Sequence, residues 1–304
     1  MPNGKYVVAV SGGVDSVALL HALADSPQPV AHSDKSYQQS ATSCQLIVAH
    51  FDHGIRPDSG ADRKFVETLA EKYGLPFEYA EGKLGAGASE ELARERRYDF
   101  LRRVQQQYGV DGIITAHHQD DLLETAILNL LRGTGRKGLT ALASNPNIIR
   151  PLLHVSKQEI IDYAREHELA WREDSSNADP KYLRNYIRLN IVSRLNEADK
   201  SRLLEVIGQS SSINAELDAL LTDLLPENKN QLERKFFIML PHAAAREVMA
   251  AWLRENNLRE FDRYTLERLV VAAKTGRPGT FANIYGQYVI NISKGHLALE
   301  GLKR

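Results

Sequence analysis

The stretch from Tyr6 to His21, YVVAVSGGVDSVALLH, constrains the fold more than any other. A short apolar run meets SGGVDS (Ser11 to Ser16) and passes without a break into a helical apolar pattern. The run Tyr6-Val7-Val8-Ala9-Val10 is β-branched and lacks polar alternation, as expected of a strand buried on both faces of a parallel sheet. Gly12 and Gly13 let the backbone turn tightly and approach an anion with no Cβ in the way. The N–H groups of Gly13, Val14, Asp15 and Ser16 are expected to converge at the positive end of a helix through Val17, Leu19, Leu20 and Leu23. That is a phosphate site built from backbone. The turn has no Lys of the Walker type, so a nucleotide here lacks a loop-borne cation across its phosphates, and Asp15 points to magnesium in that role.

Two further apolar runs end in polar tips. Leu46–Ala49 precedes His50-Phe51-Asp52-His53, and Gly112–Thr115 precedes Ala116-His117-His118. Each is followed by a helical pattern, so the fold class read from the sequence is α/β, a Rossmann-like parallel sheet with its ligand site at the carboxyl ends of the strands. The expected division is 1–200 as this nucleotide-binding domain and 201–304 as a smaller, mainly helical domain. Residues Thr280–Leu299 alternate about a turn at Lys294-Gly295 and are expected to form one short hairpin. A polar segment near residues 27–45 reads as an exposed insertion. Helices are expected to begin at Ser89, with Glu90 and Glu91 in the first turn, and at Ser156.

Composition bounds the function. A net charge of −1 over 304 residues argues against a generally basic nucleic-acid-coating protein, so any RNA site is a local patch. The one cysteine, Cys44, excludes an internal disulfide, fits a reducing cytoplasm and leaves no thiol pair for sulfur relay. No segment reads as a signal peptide or approaches the ~18 apolar residues of a membrane helix.

Five groups of residues carry candidate chemistry. His50, Phe51, Asp52 and His53 shape a nucleotide pocket with Arg56 on a phosphate; a zinc site is disfavoured because no third nitrogen or sulfur ligand follows at suitable spacing. Asp120, Asp121 and Glu124 fall in the first helical turns after His117-His118, where acids either cap the helix or hold magnesium. Arg94, Arg97 and Tyr98 share a helical face, and Arg132, Arg136 and Lys137 lie in a glycine-rich segment read as a mobile loop over an anionic substrate. Lys181, Arg184, Asn185 and Arg188 interleave with Tyr182 and Tyr186, as RNA contacts often require, or form a cationic helix packed on the sheet.

Together these pieces resemble the tRNA(Ile)-lysidine synthetase family of the PP-loop ATP pyrophosphatase superfamily. The resemblance rests on SGGVDS, AHFDHGIRPDSGAD (49–62), ARERRYDFL (93–101), TAHHQDDLLETAILNLLRGTGRKGL (115–139), RPLL (150–153) and DSSN (174–177) with RNYIR (184–188). It covers residues 5 to 195 strongly and the rest in outline. The insertion at 27–45 is longer than the family's, Leu189-Asn190 and Ser193 depart from its pattern, and the length fits a short form without a further C-terminal RNA-binding domain.

The resemblance implies that ATP adenylates the wobble cytidine of a CAU-anticodon isoleucine tRNA, after which L-lysine displaces AMP from carbon 2. It implies Ser11–Ser16 on pyrophosphate, with Asp15, Asp120 and Asp121 as magnesium ligands and, with Arg97, as the catalytic set. Ala49–His53 and Arg56 would frame ATP, and Glu124 or Asp174 would meet an amino group of lysine. Arg94, Arg132, Arg136, Lys137, Lys181, Arg184, Asn185 and Arg188 would contact tRNA. The rivals are a PP-loop tRNA thiolase, an amide-forming PP-loop ligase and a non-catalytic nucleotide-gated tRNA-binding module. Oligomeric state is left open, a homodimer included.

Overall fold

The computed structural model describes residues 4–25, 44–54, 59–85, 88–142, 147–172, 183–259 and 261–301. Contacts divide the chain into two compact units, 1–131 with 141–205, and 132–140 with 206–304. The segment 132–140 groups with the second unit, although by sequence it falls inside the first.

Unit 1 is built on a five-stranded sheet of β1 (Gly4–Ala9), β2 (Cys44–Asp52), β3 (Phe77–Glu81), β4 (Gly112–Ile114) and β5 (Ile148–Ile149) in the order β3-β2-β1-β4-β5. Every pairing is parallel. Alternate residues of one strand serve opposite faces. Tyr6, Val8 and Val10 pack with Leu19, Leu20, Val66 and Ala70, whereas Val7, Ile47 and Ile113 pack with Tyr98, Leu101 and Val104. Both faces are apolar because both are covered, which is why β1 shows no alternation in sequence. The chain winds outward from β1 to β3, then starts again beside β1 with β4. Such a switch of direction leaves a crevice at the carboxyl ends of β1 and β4.

The helices of this unit are α1 (Val14–Ala24), α2 (Ser59–Lys72), α3 (Glu90–Tyr108), α4 (Gln119–Leu131), α6 (Lys157–Glu166) and α7 (Leu183–Asn190), with α5 (Arg136–Leu139) in unit 2. At the start of α3, Ser89 Oγ accepts the Leu92 N–H at 3.2 Å, and Gly109 ends the helix at φ 59°. A capping box of Ser156 and Glu159 opens α6. Both expected starts are therefore realised by the chemistry that signalled them.

The chain passes into unit 2 within α8 (Glu197–Leu224). Unit 2 also holds α9 (Arg234–Met239), α10 (His242–Glu255) and α11 (Arg263–Thr275). Its core is formed by Phe237, Met249, Trp252, Leu253 and Leu269, all fully buried. The tail differs from the expected single hairpin. Thr280–Tyr285, Tyr288–Ile292 and His296–Gly301 form β7 to β9, and Gln231–Glu233 adds β6 in a four-stranded antiparallel sheet of order β6-β9-β8-β7. The first turn falls at Gly286, whose φ of 55° favours glycine; that signal was weaker in sequence than Lys294-Gly295. Among the described residues no helix is long and apolar enough to cross a membrane.

Candidate active site

Ser11–Ser16 lies at the carboxyl end of β1. Gly12 adopts φ 95°, and Gly13 is the extended N-cap of α1. The Ser16 hydroxyl braces the turn: its Oγ accepts the N–H groups of Ser11 and Gly12, both at 3.2 Å, and donates to the Gly13 carbonyl at 3.0 Å. The Ser16 N–H also bonds to the Gly13 carbonyl at 3.1 Å, so it does not point at a ligand as the sequence suggested. The donors left facing outward are those of Val14 and Asp15, at the positive end of α1, with Gly13 N–H held weakly at 3.4 Å from Ser11 Oγ.

Carboxylates and their partners ring this turn. Asp15 Oδ1 accepts Lys157 Nζ at 2.6 Å, and His118 Nε2 lies 3.8 Å from Asp15 Oδ2 and 3.6 Å from Asp121 Oδ2. Asp121 caps α4 by accepting the His118 N–H at 2.9 Å. Neighbouring His118 and His117, that N–H bond and Arg184 hold its carboxyl below the usual range against the opposing effect of burial. Asp120 turns away to Lys200 at 3.2 Å. Of the three expected magnesium ligands, Asp15 and Asp121 thus share one locality and Asp120 has a separate partner. Lys157 went unremarked in the sequence. A cation in the first turn of a helix opposes the helix dipole, and that was the available signal that it answers a nearby anion.

The β2 tip is built from the inside. Ala49 and His50 are buried, and His50 Nδ1 lies 2.8 Å from the Val10 carbonyl, joining the two strand ends. Burial lowers the His50 pKa, which keeps the ring neutral near pH 7. Asp52 Oδ1 accepts the Gly54 N–H at 2.8 Å, while Phe51 meets the His53 ring edge-on at 5.0 Å. Arg56, Asp174 and Lys181 lie outside the described residues, as does most of the insertion at 27–45.

Glu124 is fully buried. Arg188 Nε reaches its Oε1 at 2.6 Å and Arg188 Nη2 its Oε2 at 2.9 Å, while Arg184 Nε adds a contact at 3.1 Å. Both oxygens are engaged by guanidinium groups, so the carboxylate expected to meet the lysine ammonium has arginine partners inside the protein. The same contacts turn Arg184 and Arg188 inward to lock α7 onto α4, rather than outward to RNA. Tyr186, Leu183 and Leu189 form the exposed side of α7, and Asn185 is partly buried.

Arg94, Arg97 and Arg150 converge on the buried Tyr98. Arg94 Nη2 lies 3.5 Å from the Tyr98 hydroxyl, the Arg97 guanidinium sits 5.4 Å from the Tyr98 ring centroid, and Arg97 and Arg150 both interact electrostatically with Tyr98. His117 stands beside them with Nδ1 2.7 Å from Thr115 Oγ1; desolvation, reinforced by the three guanidinia and opposed by Asp121, lowers its pKa to about 3. In unit 2, Arg136 is held by Glu247 at 3.0 Å, Asn214 Oδ1 at 2.9 Å and Asp218 at 2.7 Å, and Lys137 meets Asp218 at 2.8 Å. The glycine-rich segment read as a mobile loop is therefore pinned, its Arg136 fork spent on internal acids, while Arg132 is exposed.

A family model described as a PP-loop domain matches residues 1–195. The chain belongs to the PP-loop family. Membership implies the use of ATP. Two similar proteins are the tRNA(Ile)-lysidine synthases of Thermotoga maritima, 38% identical over 65% of this chain and 47% of that protein, and of Thermus thermophilus, 35% identical over 92% and 54%. The chain spans about half the length of these curated relatives. Among solved structures, the U34-tRNA thiolase NcsA of Methanococcus maripaludis, with its 4Fe-4S cluster, covers 69% of this chain and 73% of its own with a TM-score of 0.51. At 18% identity that likeness shows the shared fold alone.

Magnesium fits the PP-loop site on the chemistry of its donors. No group of three metal-ligating side chains occurs among the described residues. Asp15 and Asp121 nevertheless offer two carboxylates beside the loop, and magnesium is commonly held by one or two carboxylates together with substrate phosphates.

Proposed function

We propose that the protein is a tRNA(Ile)-lysidine synthetase, a ligase forming a carbon–nitrogen bond between L-lysine and carbon 2 of the wobble cytidine in a CAU-anticodon isoleucine tRNA. The observation that carries this reading is the 35% identity over 92% of the chain with a protein of that name, on a PP-loop whose outward N–H groups suit pyrophosphate. The cytidine O2 attacks the α-phosphorus of ATP, the bond to the β-phosphate oxygen breaks and pyrophosphate leaves. The ε-amine of lysine then attacks carbon 2, AMP leaves and a proton is lost.

The chain's own residues divide this work. Val14 and Asp15 N–H groups hold the leaving pyrophosphate, and Ser16 keeps their turn in shape. Asp15 and Asp121 would hold magnesium, which supplies positive charge against the phosphates. Lys157, paired with Asp15 at 2.6 Å, would supply a cation beside the phosphates in place of the missing loop Lys. The target cytidine must leave its stack to reach the crevice.

The test is to incubate purified protein with ATP, magnesium, radiolabelled L-lysine and the CAU isoleucine tRNA. Label in the tRNA with equimolar AMP and pyrophosphate is expected. ATP turnover with sulfur incorporation and no lysine would overturn the reading.

A further inference from the structure

The strongest unexplained feature of unit 1 is the set of three arginines around Tyr98. Among the described residues, neither Arg94, Arg97 nor Arg150 makes an ion pair with a carboxylate. The Nε atoms of Arg97 and Arg150 are buried with no hydrogen-bond partner. Arg150 spends Nη1 on the Leu142 carbonyl at 2.7 Å, yet its Nε remains unanswered. Tyr98 is only 5% exposed and supplies a hydroxyl, not a charge.

Burial lowers the pKa values of Arg97 and Arg150, a sign that their charges are uncomfortable where they lie. Guanidinium stays protonated in proteins, so the discomfort is relieved by an anion rather than by loss of a proton. His117 beside them is held neutral and supplies no charge of its own. Asp121 acts on Arg150 and His117 only at longer range and is engaged by His118. An uncompensated buried cationic cluster is costly, and arginine forks match planar oxyanions through paired N–H groups.

Position and depth narrow the occupant. The cluster sits where α3 meets the carboxyl ends of β4 and β5, whereas the pyrophosphate donors sit at the end of β1. The unanswered atoms are buried, and a terminal carboxylate on a slender chain carries less bulk to such a site than a phosphate inside a polynucleotide backbone, which is flanked by sugars on both sides.

We propose that Arg94, Arg97 and Arg150, with Tyr98, form an oxyanion subsite for the α-carboxylate of the incoming amino acid. This assignment rests on the proposed lysine ligation. It makes the pocket a specificity device: the carboxylate is clamped at one end, which extends the side chain and leaves the ε-amine free as nucleophile. Simple diamines of similar length lack the group that is gripped.

The test is calorimetric titration of the enzyme, with ATP analogue and magnesium present, by L-lysine, L-lysinamide and 1,5-diaminopentane. Wild-type protein is expected to bind L-lysine about tenfold to a hundredfold more tightly than the two amines without a carboxylate, the range of a charge-assisted contact. Arg94→Gln, which touches no backbone carbonyl, is expected to erase most of that preference by weakening L-lysine alone; Arg150→Lys provides a second variant that keeps the charge and loses the fork. Equal binding of lysine and lysinamide by the wild type, or equal weakening of both in Arg94→Gln, overturns the subsite while leaving lysine ligation standing. Weakened tRNA binding with the lysine preference intact assigns the cluster to a backbone phosphate and also overturns it. Absence of binding by lysine in any form overturns the ligation reading itself.

Discussion

Replacing Glu124 by Ala tests whether its buried carboxylate holds α7 in place. The side chain is fully buried and accepts three hydrogen bonds from Arg184 and Arg188 between 2.6 and 3.1 Å. Removing it takes the close partner from two guanidinia whose remaining acids, Asp121 for both and Glu90 for Arg184, lie 3.6 to 3.7 Å away. Breaking a buried pair by deleting one partner costs about 3–5 kcal/mol. Arg188 keeps 34% of its side chain exposed, so solvent screens part of the loss and the lower end, about 3 kcal/mol, applies. For a unit of this size that corresponds to a fall in Tm of roughly 10 °C. Glu124→Gln, which keeps the shape and one acceptor, is expected to fall by about half as much. Differential scanning calorimetry measures both, and limited proteolysis locates the loosened segment at α7. A Glu124→Ala protein melting within about 2 °C of wild type would refute the claim that this carboxylate anchors the helix.

Other expectations follow from the same contacts. Ser16→Ala removes the acceptor of two backbone N–H groups, so stability is expected to drop by about 1–2 kcal/mol and ATP affinity to fall with it; chemical denaturation and nucleotide titration read the two effects separately. Asp15→Ala is expected to abolish AMP and pyrophosphate release while far-ultraviolet circular dichroism stays native; undiminished release removes Asp15 from the chemistry. His117 has a pKa of about 3 when folded against an unfolded value of 6.5, so the unfolded chain binds the extra proton and stability falls as pH drops from 6.5 towards 3. A His117→Asn protein is expected to show a flatter stability profile over that window in urea melts, and an unchanged slope counts against the buried neutral imidazole. Arg136→Ala leaves Glu247 without this partner and Asp218 with Lys137 alone in unit 2, and is expected to cost about 1–2 kcal/mol, seen as an earlier calorimetric transition.

The strand–turn–helix at Tyr6–His21 was legible because each part is local. β-branched residues favour the strand, glycine alone enters φ 95° readily, and a serine five residues after Ser11 closes the turn on itself. Both capped helices and the parallel order of three strand tips followed from the same short-range rules. The very short β5 carried too little periodicity to declare itself. The roles of charged residues were less legible, because a charge does not state its partner. Arg184 and Arg188 look alike as RNA contacts or as packing cations until Glu124, some sixty residues earlier, is seen between them. Arg136 reads as a substrate-facing cation until Glu247 and Asp218 close around it.

The sequence by itself determined the class of sheet, the glycine turn between β1 and α1 and the family, all encoded in contiguous residues whose conformations are set by neighbours one to four positions away. The tertiary structure alone decided which carboxylates are free, which arginines are spent and which remain unanswered. Long-range pairing and burial, which set the energies of charges, arise only when distant segments meet. Asp120 was separated from Asp15 in this way by Lys200, and Arg94, Arg97 and Arg150 were drawn from two segments around one buried tyrosine.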